Sequence, residues 1–161
     1  MHKLLCTSLL ALAFTTGGCK KKADDTDRAA AEVKDNAKNV EEQRKDFDKT
    51  ATDKGATAKE LDKAEGDLAA AKTDLVAAKD KYAITVKDRL AKLDIRIHEL
   101  EQRTDAKSQE TLATLRTRRA ELASRVDSIK ARAAADWDSF TKDVDHAFDT
   151  IEHDVDDALK K

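Results

Sequence analysis

Apolar residues return at alternating steps of four and three along a chain that contains no proline anywhere in its 161 residues, and this pattern restricts the fold more than any other feature. Steps of three and four place side chains on one stripe of an α-helix. Val33, Ala37, Val40, Arg44, Phe47 and Ala51 form the first such stripe. Leu61, Leu68, Leu75 and Tyr82 follow seven apart, interleaved with Ala64, Ala71 and Ala78. With 40% of residues charged and only 4% aromatic, the stripes are thin and the chain reads as long packed helices, not as a thick globular core. The expected class is all-α, an elongated antiparallel helical hairpin or coiled coil with three helices at one end.

Two reversals are expected. At Thr52-Asp53-Lys54-Gly55-Ala56-Thr57 the pattern lapses, with Gly55 placed to end a helix in a left-handed cap and Thr57 placed to start the next with Glu60 three residues on. After Tyr82 the second stripe shifts to Val86, Leu90, Leu93, Ile97 and Leu100, an extra step of four that locally unwinds a supercoil without ending the helix. Gly66 inside this run costs about 1 kcal/mol relative to alanine. Between Glu101 and Gln109 large apolar residues vanish, and Thr104, Asp105 and Ser108 are the capping candidates. A turn near Asp105 is the preferred reading; a continuous helix with a polar stretch is the alternative. The stripe resumes at Leu112, Leu115, Leu122, Val126 and Ile129 and runs on through Ala133, Trp137, Phe140, Val144, Ala147, Ile151 and Ala158. Helices are therefore expected over about 27–52, 57–103 and 108–159, forming a rod over 27–161 about 70 Å long. Folding at 55 and 105 sets Ala78 opposite Ala133, Ala71 opposite Phe140 and Leu61 opposite Ile151.

The N-terminus reads as an export signal. Met1-His2-Lys3 is positive, and Leu4 to Phe14 carries no charge. That run is about half the twenty residues a membrane span needs, and a polar chain follows at once. Thr16-Gly17-Gly18-Cys19 resembles the lipobox of bacterial lipoproteins, with Thr16 standing where the family usually has leucine. The resemblance implies a signal peptide over 1–18, cleavage after Gly18, and a covalent lipid on Cys19 as the membrane anchor. Cys6 lies in the discarded segment, so Cys19 has no disulfide partner in the mature chain. Residues 19–26, with Lys20, Lys21 and Lys22, are expected to be a charged tether whose lysines can rest on anionic headgroups. Because Lys20 and not aspartate follows the cysteine, the lipobox pattern favours the outer membrane, facing the periplasm, in a Gram-negative cell.

Residues from about Tyr82 to Ala158 are similar to a family of small coiled-coil stress-response proteins best known from cyanobacteria. The similarity lies in Leu90-x-x-Leu93-Asp94-x-x-Ile97-x-x-Leu100, in Arg119-Ala120-Glu121-Leu122, and in Ala135-Asp136-Trp137-x-x-Phe140 with Lys142, Val144, Ala147 and Phe148 beyond it. It implies helices and a link to stress. It implies no active site, and the family pattern has no lipoprotein signal.

Little in the chain suggests catalysis, and the reading is a non-enzyme without a small-molecule substrate. No Gly-rich phosphate loop, nucleophile elbow or cysteine pair is present. His146, Asp149, His153 and Asp156 share one helical face at a spacing that can hold a divalent metal, but in so acidic a chain a solvated face is the preferred reading and no cofactor is expected. His98 is a weaker candidate still. A net charge of −2 makes no case for nucleic acid. Charge is nevertheless segregated: from Thr111 to Ala135 six basic residues stand against two acidic ones, and from Asp136 onward nine acidic against three basic. Such blocks suit antiparallel docking within the chain or between copies; a basic block recruiting anionic lipid or wall polymer is the alternative. Trp137, the only tryptophan, is either the largest core anchor or an exposed partner contact, with burial preferred. The expected function is a lipid-anchored structural or interaction protein of the cell envelope, contacting itself or another envelope protein. The alternatives are an amphipathic-helix lipid-surface binder, or a lipoprotein linked to the cell wall through its C-terminal Lys161.

Overall fold

One helix sets the frame for the others: α2 (Ala58–Glu101), 44 residues long, against which α1 (Gly18–Thr52), α3 (Ala106–Asp127) and α4 (Trp137–Leu159) pack. The computed structural model describes residues 18–103 and 106–160, with side chains from Asp25 onward except those of 106–108 and Ala134. The described residues are helices joined by turns, and the fold is all-α.

α1 and α2 form an antiparallel hairpin whose turn is made by local hydrogen bonds. The Asp53 carboxylate accepts from the Gly55 N–H at 2.8 Å. Thr57 and Glu60 form a reciprocal capping box: the Thr57 N–H donates to Glu60 Oε2 at 2.8 Å and the Glu60 N–H to Thr57 Oγ1 at 3.3 Å. The left-handed cap expected at Gly55 is corrected, because neither Gly55 nor any other described residue has a positive φ. The Asp53 side chain closes the turn instead, as an Asx turn does.

The width of α2's buried arc changes along its length, and with it the number of neighbours. Up to Ala78 only Ala71 and Ala78 are buried, seven residues apart, as suits a helix covered by α1 alone. From Tyr82 onward Tyr82, Ala83, Val86, Arg89, Leu90, Leu93, Ile97 and Leu100 are all buried. An arc this wide needs cover on several sides, and α1, α3 and α4 supply it. The step of four after Tyr82 is therefore where a two-helix arm becomes a four-helix bundle. Trp137, Tyr82, Phe148, Leu93, Leu112 and Leu122 fill the bundle's centre.

The apolar spacing predicts one helix over 108–159; the structure has a third reversal inside it. α3 ends at Asp127, the chain makes short 3-10 turns at Ile129–Ala131 and Ala134–Asp136, and α4 begins at Trp137. Ser128 Oγ donates back to the Arg125 carbonyl, and Arg132 is extended at φ −67°, ψ 133°. The Arg132 carbonyl left without a helical partner accepts from Lys79 Nζ at 2.6 Å. The Ala131 to Ala135 stretch is rich in a strong helix former, so tertiary packing has overridden propensity. Folding back lets Trp137, Phe140, Val144, Phe148, Ile151 and Val155 enter the bundle, where a straight helix would have carried them out along the thin arm. The expected pairings of Ala71 with Phe140 and Leu61 with Ile151 fail for the same reason. Ile151 is 2% exposed in the bundle and Leu61 is left 37% exposed on the arm.

α1 is helical from Gly18 to Thr52 and so takes in the 19–26 stretch expected as a charged tether. Between α2 and α3 the chain reverses, as Arg116 on Glu101 and Arg119 on Asp94 show. Thr104 and Asp105 lie outside the described residues, and so does the 1–17 part of the signal.

Candidate functional site

The basic stretch of α3 and the acidic stretch of α4 are largely consumed within the bundle. Arg118 pairs with Asp154 of α4 at 2.5 Å. Arg119 takes both oxygens of Asp94 of α2 at 2.5 and 2.6 Å, and its guanidinium is held above its ordinary value chiefly by that bond. Arg116 reaches Glu101, which it and His98 hold below the usual carboxylate range. Lys130 reaches Asp80. α4 is stitched to α2 by Arg96 on Asp156 and ends against Arg103, whose Nη1 donates to the Ala158 carbonyl at 3.1 Å. A cation at the last turn satisfies carbonyls that a helix leaves open and opposes its dipole.

Trp137 is 1% exposed. It lies at the start of α4 against Tyr82 and Phe140, with ring centroids 5.1 and 5.7 Å away. Its Nε1 donates to the Ala30 carbonyl of α1 at 3.1 Å. The residue thus joins α1, α2 and α4 and offers no surface to a partner.

The most unusual chemistry surrounds Arg89, which periodicity had not singled out. Its guanidinium is 6% exposed, with its carbon 4.4 Å from the centre of the Phe148 ring. Nε and Nη2 grip Glu152 at 2.9 and 3.1 Å, and Nη2 also donates to Asp149 at 2.8 Å. Asp145 is left at 3.6 Å from Nη1, beyond hydrogen-bond reach. Its Oδ1 is buried without a hydrogen-bond partner among the described residues, and so is the Tyr82 hydroxyl. Burial opposes the charge on Arg89, but the bonds to Glu152 and Asp149 outweigh it and hold the guanidinium above its ordinary value. Burial, reinforced by Asp27 and Asp149 and only partly relieved by Arg89, pushes the Asp145 carboxyl from 3.8 to about 6. Burial and the charge of Asp145 push the Tyr82 phenol up.

This arrangement had a signal in the sequence. Arg89 occupies a stripe position between Val86 and Leu93, where an aliphatic residue belongs, and Asp145, Asp149 and Glu152 recur at steps of four and three on α4.

The metal candidates are dispersed. Asp149 is drawn to Arg89, Asp156 to Arg96, and His153 lies 3.5 Å from Asp157, while His146 is exposed. Among the described residues no group of three or more His, Cys, Asp or Glu side chains converges on one point. His98 is exposed and bonds Glu101 on its own helix. Gly18 and Cys19 open α1, described there by backbone alone. The groove between α1 and α2 is open and mostly polar, lined by Asp25, Arg28, Lys81, Asp88 and Lys92 among others. No helix is long and apolar enough to cross a membrane among the described residues. No protein family model, curated protein or solved structure matches the chain.

Proposed function

We propose that the chain is a lipid-anchored structural or interaction protein of the bacterial envelope, and that it acts by presenting a helical arm to other envelope components. The Thr16-Gly17-Gly18-Cys19 pattern motivates the anchor. The observation that carries the rest is the polarity of the fold. α1 starts beside the four-helix bundle and runs 35 residues, about 50 Å, to the exposed turn at 53–57. A lipid at Cys19 then sets the bundle at the membrane and the α1–α2 turn outward. Production under stress belongs to the same proposal, and rests on the resemblance of residues 82–158 to coiled-coil stress-response proteins alone.

The two rival readings are less well supported. A lipid-surface binder needs a broad apolar face, yet the large apolar side chains left exposed among the described residues are Leu61, Val76, Ile84 and Ile95, dispersed along α2. A wall link through the C-terminal lysine needs that end to reach outward. α4 instead ends against Arg103, just past the end of α2 and away from the exposed turn at 53–57.

Fractionation of cells producing Cys19→Ser tests the anchor. The wild-type protein is expected to stay with membranes through a high-salt wash, and the variant to be released or left as uncut precursor. A membrane fraction unchanged by the substitution, with a normally cut N-terminus, would sink the reading.

A further inference from the structure

Three carboxylates surround one buried guanidinium between α2 and α4, and a fourth carboxylate on α1 bears on one of them. Arg89 of α2 faces Asp145, Asp149 and Glu152 of α4, and the charge of Asp27 on α1 opposes that of Asp145. The guanidinium is committed to Glu152 and Asp149, which leaves Asp145 as the surplus carboxylate, 28% exposed and 3.6 Å away. We propose that Asp145 is the acid-operated member of a latch that fastens α4 to α2 and α1, tightening when it takes up a proton and loosening when it releases one.

With all four carboxylates ionised, Asp145 meets the like charges of Asp27 and Asp149 while Arg89 is committed to Glu152 and Asp149, and the buried Oδ1 of Asp145 has no hydrogen-bond partner among the described residues. An ion so placed loses hydration without an adequate replacement. A single proton from solvent converts Asp145 to a neutral acid, removes its repulsion with Asp27 and Asp149, and leaves Arg89 to Glu152 and Asp149. The charges that act on Asp145 are Asp27 on α1, Arg89 on α2 and Asp149 a turn away on α4, and the Tyr82 hydroxyl of α2 feels the charge of Asp145 in turn. α3 lies across the opposite flank, where Arg118 meets Asp154, nine residues and half a helical revolution from Asp145.

A carboxyl raised from 3.8 to about 6 binds its proton more tightly in the folded bundle than in the unfolded chain. Its contribution therefore grows as pH falls through about 6 and levels off below the unfolded value. The rise from 3.8 to about 6 caps the change in α4 docking at about a hundredfold, and solvent at the outer oxygen brings it nearer tenfold. The latch needs only the folded bundle. Export would expose it to the pH of the medium.

The test compares the full-length wild-type protein with Asp145→Asn and Asp27→Asn, by hydrogen exchange of α4 amides at pH 7.5 and by thermal unfolding between pH 7.5 and 5. Asp145→Asn, a neutral mimic of the protonated acid, is expected to slow α4 exchange about tenfold or more at pH 7.5 and to flatten the rise in melting temperature on acidification. Asp27→Asn is expected to keep the rise and move its midpoint to lower pH. An Asp145→Asn protein with the wild-type slope overturns the proposal, and so does one whose α4 amides are no better protected at pH 7.5. If Asp145→Asn fails to fold, an unmoved midpoint in Asp27→Asn overturns it alone.

Discussion

The indole of Trp137 stands edge-on to the ring of Tyr82, with centroids 5.1 Å apart and planes at 70°. Edge-to-face contact brings the positive edge of one ring to the negative face of the other and adds to the area both bury. Because Trp137 also donates to the Ala30 carbonyl, one side chain holds the first turn of α4 to both α1 and α2. Trp137→Ala is expected to lose about 3–5 kcal/mol of stability, read by denaturant unfolding followed by circular dichroism. Trp137→Phe keeps most of the buried area and should lose less. In the wild type, emission should be blue-shifted and poorly quenched by acrylamide; red-shifted, freely quenched emission would contradict the burial.

Arg89 is the second point on which α4 docking depends. Arg89→Ala strands Glu152 and Asp145 at a half-buried junction without their cation, so a loss of about 3–5 kcal/mol at pH 7.5 is expected. Arg89→Lys should recover only part of it, because a single ammonium cannot present the fork that grips Glu152 while reaching Asp149. Equal stability of the Lys variant and the wild type would show that charge alone suffices there.

The features that could be read from the sequence were those fixed by neighbours along the chain. The capping box at Thr57 and Glu60 is a local hydrogen-bond pattern, and the stripes from Leu61 to Leu100 are a local period, so both were legible. The change at Tyr82 was visible as a change of step, but its meaning, a bundle joining an arm, depends on how many helices come to cover it. The reversal at 128–136 was hidden because Ala131, Ala133, Ala134 and Ala135 favour helix. What opens the chain there is the area that Trp137, Phe140 and Phe148 bury by turning back, a sum that no window of sequence contains. Arg89 was passed over for the same kind of reason. A charged residue on an apolar stripe becomes interpretable only once the helix bearing its carboxylates is placed beside it.

On the arm, single changes should act locally. A Cβ built at Gly66 meets nothing within 4 Å, and the residue lies inside α2 without a positive φ. Gly66→Ala is therefore expected to stabilise the helix by about 1 kcal/mol, through propensity and reduced freedom of the unfolded chain. Hydrogen exchange should show slower opening of the arm, with Trp137 emission unchanged. A loss of stability would mean that something approaches that face closely.

Thr57→Ala removes the hydroxyl that accepts from the Glu60 N–H, and with it half of the capping box. A loss of about 1 kcal/mol is expected, concentrated in amides near the turn. Glu60→Gln, which keeps an acceptor for the Thr57 N–H, should cost less than Glu60→Ala.

The third reversal yields a distance that separates two folds of the same helices. Lys59 stands near the start of α2 and His153 near the end of α4, and both are exposed. Asp149 and Glu152 reach Arg89, and Asp156 reaches Arg96, so His153 lies beside α2 between those two arginines. From there back to Lys59 the helical rise amounts to about 50 Å. Were α3 and α4 one straight helix folded at 105, the same residue would lie beside the arm's turn, about 15 Å from Lys59 at the width of packed helices. Spin labels at Lys59→Cys and His153→Cys, in a chain whose native cysteines are replaced, should give a distribution centred near 50 Å by pulsed electron resonance. A population near 15 Å would return the chain to the long three-helix rod, and would also separate Arg89 from the carboxylates on which the latch depends.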